Sequence, residues 1–79
     1  MKWRRLMTNV NIPAELYTQN SITFYEHPVY GSDVPVLVKV SGKYYDTSFY
    51  DPDDSDMEYI IDMINEIKTG AGNHEPVKF

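Results

Sequence analysis

Residues 36–50 read VLVKVSGKYYDTSFY. Val36 to Val40 is a β-branched run of strand length. Ser41-Gly42 supplies a two-residue turn, because glycine takes positive φ without a Cβ clash. Lys43 to Tyr50 then forms the returning strand. A two-residue loop pairs Val40 with Lys43, Val38 with Tyr45 and Val36 with Thr47. Side chains alternate along a strand, so one face carries Val36, Val38, Val40, Tyr45, Thr47 and Phe49. The other carries Leu37, Lys39, Tyr44, Asp46, Ser48 and Tyr50. The first set is the more apolar and predicts the core face.

Upstream, residues 21–26 (SITFYE) alternate Ile22 and Phe24 with Thr23 and Tyr25, the period of a strand. The stretch HPVYGSDVP that follows is rich in turn residues and too long for a tight hairpin. Residues 11–18 (NIPAELYT) suggest one or two helical turns, with Asn11 as cap and Pro13 in the first turn. Downstream, DPDD at 51–54 breaks the strand. Ser55 followed by Glu58 reads as a capping box. Met57, Ile60, Ile61, Ile64 and Ile67 recur at helical spacing and predict one apolar stripe. Lys68 suits the last turn, and Gly70 ends the helix. The expected architecture is a small two-layer α+β domain over 1–79. In it, a three-stranded antiparallel β-meander carries one C-terminal α-helix packed on one face. Residues 1–10 read as a flexible arm; the alternative is that residues 1–18 fold back over the second sheet face, using Trp3, Ile12 and Leu16. Residues 70–79 read as a loop or edge-strand tail, with Pro76 weighing against the strand.

A chain of 79 residues has room for one core. Its 42% apolar content fits a folded domain rather than a disordered chain. No apolar run approaches the roughly 20 residues of a membrane-crossing helix. Residues 1–9 are basic and lack the apolar stretch of a secretory signal, and the expected localisation is cytoplasmic. Met7 offers a second start; without Lys2, Arg4 and Arg5 the net charge moves from −5 to −8. There is no cysteine, so disulfides and thiolate metal sites are excluded.

Nucleotide-binding loops, nucleophile elbows and zinc-protease signatures are all missing. His27 and His74 stand far apart and read as solvated. Counted from Asp51, the EF-hand ligand positions fall on Asp51, Asp53, Ser55 and Asp62. Asp56, however, stands where that loop needs glycine. No catalytic, cofactor-binding or metal-binding residue is assigned, and the chain is expected not to be an enzyme.

Charge gives the positive signal. Residues 1–50 hold five basic and four acidic side chains, whereas 51–79 hold two and eight. Seven of those eight lie between Asp51 and Glu66, with no basic residue among them. Glu58, Asp62 and Glu66 recur every four residues, so they stack along one helical stripe despite mutual repulsion. The candidate partner-binding residues are Asp51, Asp53, Asp54, Asp56, Glu58, Tyr59, Asp62 and Glu66. A solvated, solubilising face accounts for such a ridge as well as a contact surface does. As a contact surface it suits the lysines and arginines of a basic partner, which take carboxylates and phosphates alike. A row of carboxylates can then occupy a groove built for a nucleic-acid backbone. The expected function is a small acidic protein-binding module that inhibits or modulates a nucleic-acid-handling protein. By analogy of size and charge, it would be phage-encoded. The net charge argues against direct nucleic-acid or membrane binding. The alternative is a structural subunit, a homodimer joined through a tyrosine-bearing open sheet face with Tyr25, Tyr44 and Tyr50.

Overall fold

The computed structural model describes residues 12–79; the expected arm, including Trp3, lies outside them. The 36–50 hairpin forms in the expected register, but its returning strand ends at Asp46 rather than running on to Tyr50. Strand β3 (Leu37–Val40) pairs with β4 (Lys43–Asp46) in the register Val40 to Lys43 and Val38 to Tyr45. Ser41 and Gly42 both take positive φ, 54° and 82°, the geometry that matches the twist of the flanking strands. Beyond β4 the ladder bends. Val36 O accepts from the Thr47 amide, while the Val36 amide donates to Phe49 O. Ser48, at φ 69°, absorbs the extra residue. The Thr47 hydroxyl donates to Val36 O at 2.8 Å, so a buried polar group is satisfied where the strand ends.

The sheet has four strands, not the three expected. Strand β1 (Ala14–Gln19) pairs antiparallel with β2 (Ile22–Glu26), and the order is β1-β2-β3-β4. The segment expected to be helical is therefore an edge strand. Pro13, Ala14 and Glu15 favour helix locally, but so short a helix is poorly stable by itself. Asn20 and Ser21, at φ 53° and 67°, instead close a second two-residue hairpin. The cross-strand ladder to β2 then outweighs local propensity. Leu16 is an extra residue opposite the Phe24–Tyr25 step, a bulge that twists this outer edge away from flat pairing.

Helix α1 (Met57–Thr69) covers one face. Phe24, Val36, Val38, Val40 and Tyr45 form the core with Met57 and Ile60, the hairpin face expected to do so. Ile22, Phe49, Met63, Ile64 and Ile67 close its margins. Ile61 departs from the expected stripe and is 42% exposed, beside Ile60 at 1%. One residue along a helix is a 100° rotation, enough to carry a side chain off the buried face. Met63, on the other flank of Ile60, packs against the core margin instead.

The opposite sheet face is not open. The Val77 amide donates to Tyr44 O at 2.8 Å, which lays the tail along β4. Phe79 then sets its ring against Tyr44 and His27, with centroids 6.0 and 5.4 Å apart. Leu37 on this face is only 1% exposed, and Tyr25 packs edge-on to Tyr44. His27, expected in solvent, is buried. Its Nδ1 accepts from the Val29 and Tyr30 amides at 3.1 and 3.2 Å, so the ring proton belongs on Nε2. This side chain organises the turn-rich connection between β2 and β3.

Candidate partner-binding surface

The acidic ridge is built around a cap. The expected box was Ser55 with Glu58, but Asp53 and Asp56 form it instead. The Asp53 carboxylate accepts from the Ser55 hydroxyl at 2.7 Å and from the Ser55 and Asp56 amides. The Asp53 amide in turn donates to Asp56 Oδ2 at 3.1 Å. This reciprocal pair closes the 53–56 turn that leads into α1 in the manner of a capping box, whereas Asp56, the N-cap residue itself, makes no side-chain hydrogen bond to the first turn. The Ser55 hydroxyl and the Asp56 amide, in that order of weight, hold the Asp53 carboxyl below its ordinary pKa. At the far end Gly70 adopts φ 81°, and the Ala71 amide closes onto Glu66 O.

Several candidate residues are thus committed to structure. Asp53 and Asp56 hold the helix start. Asp54 accepts a 2.8 Å hydrogen bond from Gln19 Nε2, tying the acidic turn to β1. Glu66, placed against the helix dipole, is met by His74 Nε2 at 2.7 Å, which brings the tail back over the last turn. Asp51, Glu58 and Asp62 are exposed and make no side-chain hydrogen bond or ion pair to another described residue. Tyr59 is 69% exposed, and its ring lies against Phe49. The structure thus divides the ridge into a framework (Asp53, Asp54, Asp56, Glu66) and a free set (Asp51, Glu58, Tyr59, Asp62). Among the described residues four lysines face twelve carboxylates. None of the four lies between Asp51 and Ile67.

The calcium-loop spacing is put to another use, since Met57 to Asp62 lie in the helix. Among the described residues no group of three or more His, Asp or Glu gathers as metal ligands. No helix among them is long and apolar enough to cross a membrane.

One feature escaped sequence reasoning. A cleft of about 230 Å³ opens where the β2–β3 connection approaches β1, with Leu16, Tyr17, Glu26, Gly31, Val36 and Tyr50 on its walls. Its residues come from four separated stretches, so no linear motif announces it. It adjoins the ridge. Partial burial, and then the Asp51 charge, push the Tyr17 phenol above its ordinary pKa. Comparison with protein-family models, curated proteins and solved structures finds no match.

Proposed function

We propose that this protein is a non-catalytic binding module that lays its acidic turn and the outer face of α1 against the basic groove of a partner protein. The partner class that fits is one that handles nucleic acid, and occupation of its groove inhibits or modulates it. The observation that carries this reading is the free set on a capped helix. Among the described residues Asp51, Glu58 and Asp62 are exposed and meet no cation, while Asp53, Asp56 and Glu66 spend their hydrogen bonds on the turn before the helix and on its last turn. A preorganised row of charges loses little entropy on docking. It also steers association with a surface of opposite sign. The self-association reading has less support, because Phe79 occupies part of the sheet face it requires.

The test compares the parent chain with Glu58→Lys/Asp62→Lys as baits for nucleic-acid-binding proteins in a cell lysate. Both positions are exposed, so the denaturation midpoint should shift little. Proteins held by the parent should be released by added salt and by competing duplex DNA, and the variant should retain them at least about tenfold less. Equal retention by parent and variant, or indifference to duplex DNA, overturns the reading.

A further inference from the structure

The cleft beside β1 combines features that select one kind of side chain. Its lining is mostly apolar, with Leu16 and Val36 on the walls. Glu26 supplies a carboxylate, and no described residue forms an ion pair with it. Gly31 lies beside that carboxylate. A Cβ built there would meet Glu26 Oε2 at 3.7 Å, and φ of +57° already disfavours any other residue. Two tyrosines flank the space, and both are held. Tyr17 packs on the fully buried Phe24 ring at 5.2 Å. The Tyr50 hydroxyl reaches Asp33 O at 3.5 Å. The turn that carries Gly31 to the cleft is fixed as well. His27 Nδ1 binds the turn at Val29 and Tyr30, and the Gly31 amide returns to His27 O at 3.0 Å. His27 is thus a positioning residue for the cleft.

An apolar trough, a lone carboxylate and tyrosine rings match a cation on an aliphatic stem. The surrounding charge agrees. No lysine is among the lining residues, and the ridge begins at Asp51, next to Tyr50. We infer that this cleft receives an arginine side chain of the basic partner, its guanidinium on the Glu26 carboxylate and against the tyrosine faces. Arginine fits better than lysine because its planar fork bonds a carboxylate at two points and stacks on aromatic rings. The inference rests on the proposed basic partner and adds a pocket to it. The ridge supplies long-range attraction, and the cleft supplies the anchor that fixes register.

The probe is N-acetyl-arginine amide, titrated into the isotopically labelled full chain and followed by amide NMR. Shifts should concentrate at Leu16, Gly31 and Tyr50 and saturate in the millimolar range. N-acetyl-lysine amide should bind at least about threefold more weakly. Glu26→Gln should abolish saturation while keeping the parent's spectrum elsewhere. Tyr50→Leu, at an exposed position, should weaken binding with the fold intact. Glu58→Lys/Asp62→Lys should still bind the arginine probe, which separates failure of the cleft from failure of the ridge. Shifts confined to the ridge overturn the inference. So does equal binding by arginine and lysine, or undiminished binding by Glu26→Gln.

Discussion

The two faces of the sheet are closed by different means. On one, a thirteen-residue helix presses Met57 and Ile60 onto Phe24, Val38 and Val40, and the contact is dry and apolar. On the other, the Phe79 ring, itself 43% exposed, leans on His27 and Tyr44, Tyr25 packs edge-on to Tyr44, and Leu37 is buried on the same face. Adjacent residues of β3 feel both. Leu37 and Val38 point to opposite sides, and each is 1% exposed. A strand of this sheet is buried on both faces because the segment around Val77 and Phe79 lies against the side that the helix does not cover. The helix side owes its closure to many aliphatic contacts, and the tail side to a few aromatic edges and one backbone hydrogen bond. Loss of one group should therefore matter most under the helix.

The largest effect is expected at Ile60→Ala, which leaves a cavity in the core and should cost about 2–5 kcal/mol in urea unfolding. Its neighbour is the control. Ile61→Ala removes a side chain that is 42% exposed and outside the core cluster, and should cost about 0.5–1 kcal/mol. Similar losses at both positions would mean that the helix is rotated from the orientation described.

Phe79→Ala should cost less, about 1 kcal/mol, because the ring is half exposed and its partners are aromatic edges. Near-ultraviolet circular dichroism should report the loss through Tyr44 and Tyr25. A cost matching that of Ile60→Ala would make the two faces equal partners in stability and break the comparison.

The smallest effect belongs to the cap. Because the Asp53 carboxyl is held below its ordinary value, its contribution is fully present above the unfolded aspartate pKa of about 3.9. It is lost as pH falls through the lower folded value. Asp53→Ala should thus lower Tm at neutral pH, and the gap from the parent should narrow under acid. A gap that stays constant down to about pH 2 would show that the carboxylate charge contributes nothing to the cap.

Much of this molecule is legible in 36–50 and 57–70. Alternation of Val36, Val38 and Val40 with Tyr45, and the turn at Ser41-Gly42, determine the hairpin register and its buried face. The three- and four-residue spacing from Met57 to Ile67, stopped by Gly70, determines the helix, and Glu58, Asp62 and Glu66 fall on its outer side. Such features are local, because turn chemistry and side-chain period act within a few residues. What the tertiary structure alone decided depends on groups distant along the chain. The 14–19 segment became a strand because β2 offered it a ladder, against its own weak helical preference. The capping role passed to Asp53 and Asp56, as the start of a helix is set by how the chain leaves the preceding strand. His27 was buried because a turn needed its acceptor and Phe79 arrived to cover it. Glu66 found His74, and Glu26 came to face Gly31 and Tyr50, only once the tail and the long connection had folded back. Contacts between such remote residues carry no periodic signature, and the closure of the chain creates them.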